Sequence, residues 1–152
     1  MITVAQADAL AQRAHGDDRN DSGVRLIDHV RSVAARMVHD PDPYAVLAAL
    51  LHDTVEKSSM TWDDLRSAGA DERLIALVDA LTERDVEPAH EYLSRAAADP
   101  LTLRIKRADI TDKLDLRELG TLTAEARRTM EARAQHRLAL LEEMARRHAA
   151  AP

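Results

Sequence analysis

The chain has 152 residues, enough for one domain with a sizeable core, and its 45% hydrophobic and 32% charged residues describe a globular protein rather than a disordered one. A formal net charge of −6 argues against a nucleic-acid binder, which usually carries a basic face, and the absence of cysteine excludes disulfides and thiolate chemistry. With no Phe, one Trp, two Tyr and only four Gly, the core must come from Leu, Ala, Val, Ile and Met, and helix is favoured almost throughout.

In chain order, MITVAQADAL lacks a basic n-region and a long apolar core, so it does not read as a signal peptide. Val4–His15 is a first helix with Thr3 as N-cap and Val4, Ala7, Ala11 and Ala14 at helical spacing. GDDRNDSG (residues 16–23) is a turn-rich loop. A second helix spans about Leu26 to Val38, with Val30, Val33, Ala34 and Met37 on one face and His29 at its edge. DPDP (residues 40–43) breaks the chain, and Pro43 suits the first turn of a third helix carrying AVLAALLHDTVE, Ala45 to Glu56.

Thr61 and Asp64 form a capping-box pattern for a short helix to Ala68, closed by Gly69. Asp71 caps Glu72–Leu81, which buries Leu74, Leu77, Val78 and Leu81. Glu87–Ala98 is a further helix bearing Tyr92, and Asp99-Pro100 opens another through about Leu114. Thr123 caps a last helix to about His148 with the stripe Met130, Ala134, Leu138, Leu141 and Ala145, leaving AAAP loose. No run approaches the ~18–20 apolar residues that span a bilayer. The expectation is an all-α, single-domain helical bundle over residues 1–152, cytoplasmic, with neither nucleic acid nor membrane as partner. The long last helix can pack on its own core or on a second subunit, which leaves a homodimer open.

The third helix draws attention to itself. Ala45–Leu51 is apolar all round and must be buried, yet it runs into His52 and Asp53, whose burial costs free energy unless something satisfies them. A metal ion would satisfy both. His29 and Asp109 are further candidates, Asp109 because it lies four residues after Ile105 and follows an apolar stripe inward. Each has a plainer reading: the histidines as hydrogen-bonded core residues, Asp109 as the partner of Arg104 or Arg107. Imidazole with carboxylate suits divalent Mn, Fe, Zn or Co and leaves positions open for water. Glu56 and Lys57 lie one helical turn after His52 and Asp53, on the same side.

His29, His52-Asp53 and Asp109 together resemble the H…HD…D pattern of the HD superfamily of metal-dependent phosphohydrolases. AHGDDRNDSGVRLIDHV (residues 14–30), LLHDTVEKSSMTWDDL (residues 50–65), LVDALT (residues 77–82) and IKRAD (residues 105–109) are similar to segments of its RelA/SpoT-type alarmone hydrolase branch and the small stand-alone metazoan SpoT homologue. Tyr92 to Pro100 resembles the YL.R.A..P segment of small bacterial members, and the likeness covers about residues 9–119.

The resemblance implies an HD-type helical bundle. It also implies one divalent ion, most often Mn2+ in this branch with Fe, Zn or Co as alternatives, held by His29, His52, Asp53 and Asp109. It implies hydrolysis of a small phosphorylated nucleotide, as by (p)ppGpp 3′-pyrophosphohydrolases, with a metal-activated water as nucleophile. Arg19 matches a substrate-contacting position. Where the family has Glu-Asp after the dyad this chain has Glu56-Lys57, and the Asn four residues after the last aspartate is Lys113. Leu26 replaces the expected Tyr, and Asn20 replaces a basic residue.

Glu56 is then expected to position the water or take its proton, with Lys57 beside it in the catalytic set. Lys57 and Lys113 are expected to hold phosphate or offset its charge, and Asp112 is a candidate stand-in for the lost acid on the substrate side. Two alternatives stand: a catalytically impaired HD-fold sensor or binding protein, and a phosphatase of another nucleotide such as NADPH.

Overall fold

The computed structural model describes residues 1–115 and 119–152, and every regular element among them is helical. In order they are α1 (Val4–His15), α2 (Leu26–Arg36), α3 (Ala45–Leu51), α4 (Thr54–Lys57), α5 (Trp62–Ser67), α6 (Glu72–Ala80), α7 (Ala89–Ala98), α8 (Pro100–Asp112) and α9 (Ala124–Ala150). No described helix is long and apolar enough to cross a membrane.

The centre is α3. Ala45, Leu47, Ala48, Ala49, Leu50 and Leu51 are buried, and its alanines let α1, α2, α6 and α8 approach closely on different sides. The core continues through Leu65, Leu74, Leu77, Val78, Leu93, Leu101 and Ile105, and closes against α9 at Ala134, Leu141 and Met144. Most of α9 packs along α7, with α8 beneath.

Local chemistry sets the helix starts. Thr3 with Gln6 and Thr61 with Asp64 form reciprocal capping boxes, while the Asp71, Asp99 and Thr123 side chains accept the free N–H groups of the first turns of α6, α8 and α9. Four boundaries differ from the sequence expectation, one of them the end of α9, which continues through Ala150 into the AAAP segment expected to be loose. Pro43 lies in a turn, because Asp40 and Asp42 side chains accept Asp42 N–H and Tyr44 N–H, and α3 begins only at Ala45. Pro88 is the N-cap of α7 rather than an interior residue. The third predicted helix is two: α3 ends at Leu51, and α4 starts at Thr54 after a turn at His52-Asp53.

Candidate metal centre and cationic cavity

That turn places the two polar residues where three helices meet. His52 Nδ1–H donates to Ala49 O at 2.6 Å, and Thr54 Oγ1 donates to Leu51 O at 2.7 Å, so side chains take carbonyls that helix continuation would have used. His29 arrives from α2 and Asp109 from α8, both of which pack on α3 and on each other.

His29, His52 and Asp109 are essentially inaccessible, and Asp53 is 9% exposed. His29, His52 and Asp53 each present one donor atom within 4.8 Å of the others. Asp109 Oδ1 lies 2.8 Å from His29 Nε2 and 3.6 Å from His52 Nε2, and Asp53 Oδ2 is 3.5 Å from His52 Nε2. Two ligand atoms about 2.1 Å from one ion and at right angles stand about 3.0 Å apart, so these spacings suit a shared cation. His52 Nε2 is buried and has no hydrogen-bond partner among the described residues. A buried imidazole nitrogen facing two carboxylate groups is unsatisfied until a proton or a cation sits between them. The donor set, two imidazoles and two carboxylates, fits a divalent ion.

The surrounding charges are strongly biased. Burial alone would raise the Asp109 carboxyl, but the Lys106 and Lys113 ammonium groups and the two histidines hold it well below the usual carboxylate range. Burial likewise opposes ionisation of Asp53, yet His52 keeps it low. Burial would lower His52, but Asp53 and Asp109 outweigh this and raise it. The cation beside Asp109 is Lys106, with Nζ 2.6 Å from Oδ2, and neither of the arginines that offered the plainer reading: Arg104 pairs with Asp40 and Arg107 with Glu142. Lys106 also lies over the Tyr92 ring at 4.9 Å, and burial pushes the Tyr92 phenol up to about 12. Sequence spacing did not single out Lys106, because a Lys three residues before an Asp on a helix usually faces solvent.

His29 and Asp53 form one edge of a cavity of about 230 Å³. Among the described residues its wall carries six cationic side chains: Arg19, Lys57, Lys106, Lys113, Arg133 and Arg137. Arg19 is held by its bond to Gly23 O, in a loop that Asn20 organises by accepting from Ser22 and Val24. Lys113 Nζ is 4.0 Å from Asp109 Oδ1. Arg133 and Arg137 come from α9, which the sequence reading assigned only to packing; nothing in local spacing shows that this helix crosses the mouth of the site.

Two expected residues sit differently. Glu56 Oε1 accepts Glu83 N–H at 2.7 Å and its Oε2 lies 3.4 Å from Lys57 Nζ. Asp112, expected on the substrate side, is wholly buried and faces His29 instead, with Oδ2 2.9 Å from Nδ1. His15 was not singled out either. It is buried at the end of α1 with neither ring nitrogen partnered among the described residues, and burial pushes its imidazole down.

The family model for the HD domain matches residues 7–140. The chain belongs to the HD domain family. A guanosine-3′,5′-bis(diphosphate) 3′-pyrophosphohydrolase of Aquifex aeolicus is 27% identical over 120 residues, 73% of this chain and 17% of that protein. A GTP pyrophosphokinase of Streptomyces coelicolor is 29% identical over 154 residues, 95% of this chain and 18% of that one. The chain therefore spans less than a fifth of the length of these curated relatives. A solved structure of a metazoan SpoT orthologue, described as hydrolysing ppGpp, superposes with a TM-score of 0.70 at 21% identity, covering 95% of this chain and 94% of that one. The HD-type, all-helical fold read from the sequence motifs is therefore the fold of this chain.

Proposed function

We propose that this HD domain is a metal-dependent phosphohydrolase acting on a phosphorylated nucleotide, of the kind represented by guanosine-3′,5′-bis(diphosphate) 3′-pyrophosphohydrolases. The observation that carries the reading is the unsatisfied His52 Nε2 among Asp53 and Asp109 oxygens, beside a cation-lined cavity in an acidic protein. The Aquifex relative supports the substrate class.

In this reading His29 Nε2, His52 Nε2, Asp53 and Asp109 Oδ1 hold one divalent ion, Mn2+ in the first instance. Such an ion, when bound, acidifies a water and polarises a phosphoryl oxygen. The protein does the rest by placement. Lys57 and Lys113, both lining the cavity, offset charge that develops on the phosphoryl oxygens. Arg133 and Arg19 add positive charge to the cavity wall, and Arg137, whose fork is held by Glu83 at 3.3 Å, reaches the phosphate by leaving that carboxylate. Glu56 keeps Oε1 on Glu83 N–H and Oε2 beside Lys57, so orienting the water or accepting its proton falls to Oε2 with Lys57 alongside. A volume of about 230 Å³ is below the ~300–1,000 Å³ of pockets that enclose whole ligands. The cavity's cationic wall suits the phosphate end of the substrate.

The test is a panel of nucleotides, guanosine-3′,5′-bis(diphosphate) and NADPH included, incubated with protein and Mn2+ while phosphate and pyrophosphate release are followed. Pyrophosphate release from the bis(diphosphate), lost in His52→Ala and Asp53→Ala, is expected. Tight nucleotide binding with no release from any member would contradict the enzyme reading and favour a sensor.

A further inference from the structure

We propose that Asp112 is a positioning residue for His29: its carboxylate, held from behind by Ser32 and Arg36, fixes the ring so that Nε2 faces the metal centre. The inference rests on the metal reading above and goes beyond it.

A carboxylate only accepts, so the 2.9 Å contact of Asp112 Oδ2 with His29 Nδ1 requires a proton on Nδ1. The same rule puts a proton on Nε2, 2.8 Å from Asp109 Oδ1, while no metal is bound; a bound ion takes the place of that proton and not of the one Asp112 holds on Nδ1, which makes Nε2 the ligating atom. The other oxygen, Oδ1, accepts from Ser32 Oγ at 2.5 Å and from Arg36 Nε at 3.3 Å. The Ser32 contact has the length of a charge-assisted O–H···O⁻ bond. The arrangement is built into the helix periods. On α2, His29, Ser32 and Arg36 follow at intervals of three and four and share a face; on α8, Asp109 and Asp112 are three apart. Two helices thus supply both a ligand pair and its brace.

A role in substrate contact does not fit, since Asp112 is 0% exposed while its partner Arg36 reaches solvent. A carboxylate buried to that degree must be neutralised or hydrogen-bonded, and here one oxygen meets the His29 ring while Ser32 and Arg36 hold the other. A carboxylate behind a metal-ligating histidine fixes tautomer and orientation and raises basicity; removing such a partner typically costs about 10–100-fold in metal affinity.

Mn2+ binding to chelator-stripped protein is measured by titration calorimetry for wild type, His52→Ala, Asp112→Asn and Ser32→Ala, together with the thermal midpoint of each without metal. Wild type is expected to bind one Mn2+, with about a 10–100-fold loss in Asp112→Asn and a few-fold loss in Ser32→Ala. Nitrogen-15 NMR of His29 with diamagnetic Zn2+ in place of Mn2+ is expected to show a protonated Nδ1 and a metal-bound Nε2 in wild type, and a mixture in Asp112→Asn. If Asp112→Asn does not fold, Ser32→Ala decides. Variants that bind Mn2+ like wild type, whatever their thermal midpoints, would make Asp112 a structural tie between α2 and α8 and overturn the proposal. A wild type that takes up no Mn2+ would instead overturn the metal reading itself.

Discussion

His52 is where proton and metal compete. Asp53 and Asp109 outweigh burial and raise its pKa above the ordinary value of 6.5, so the ring keeps its proton to higher pH than a free histidine. Asp109 is held well below the usual carboxylate range, and Asp53 is also lowered, so neither titrates near neutrality. Metal uptake must therefore release the His52 proton. Below the raised His52 pKa, affinity is expected to fall by about tenfold per pH unit, and above it to level off. Calorimetry in two buffers of different ionisation enthalpy would report the released proton; a pH-independent affinity with no proton release would contradict the assignment.

Lys106 makes a second residue-scale case. It is buried against Asp109 and Tyr92, so Lys106→Met removes the nearest cation from a buried carboxylate, leaving the histidines and the more distant Lys113, and is expected to cost about 3–5 kcal/mol in denaturant unfolding. Lys57 and Lys113 are half exposed and line the cavity, so their alanine variants are expected to fold normally and raise KM for the nucleotide. Unchanged KM and kcat in both would remove them from the site.

At the scale of elements, the residue patterns expose most of the fold because each helix carries its own cap. The Thr61–Asp64 box shows the strength of that signal, and Thr61→Ala is expected to lose about 1 kcal/mol by thermal or urea unfolding. What the pattern hides is the break between α3 and α4. AVLAALLHDTVE contains no Gly or Pro, and at the break His52 and Thr54 side chains bond back to Ala49 O and Leu51 O. The four candidate ligands were legible, since a polar dyad closing an all-apolar helix is unusual, and Asp109 follows the buried stripe of α8. Their supports were not. Whether Asp112 faces substrate or His29 depends on the crossing of α2 and α8, which no single-helix spacing contains.

For the whole molecule, the net charge of −6 conceals a local inversion: the cavity gathers cations from the α1–α2 loop, α4, α8 and α9. Arg133 and Arg137 escaped the sequence reading because their place at the site comes from the docking of α9 along α7 and α8, a long-range contact. Half-exposed cations in an open cavity feel salt, while the buried metal ligands are shielded from it. Raising ionic strength is therefore expected to raise KM for a polyphosphate substrate several-fold and to change Mn2+ affinity little.

The most direct test of the account is pyrophosphate release from guanosine-3′,5′-bis(diphosphate) by chelator-stripped protein as Mn2+ is added back, wild type beside His52→Ala. No release is expected without metal, release that saturates at one Mn2+ per chain is expected in wild type, and none is expected at any Mn2+ concentration in the variant. Release by stripped wild type, or Mn2+-dependent release by His52→Ala equal to wild type, would contradict it.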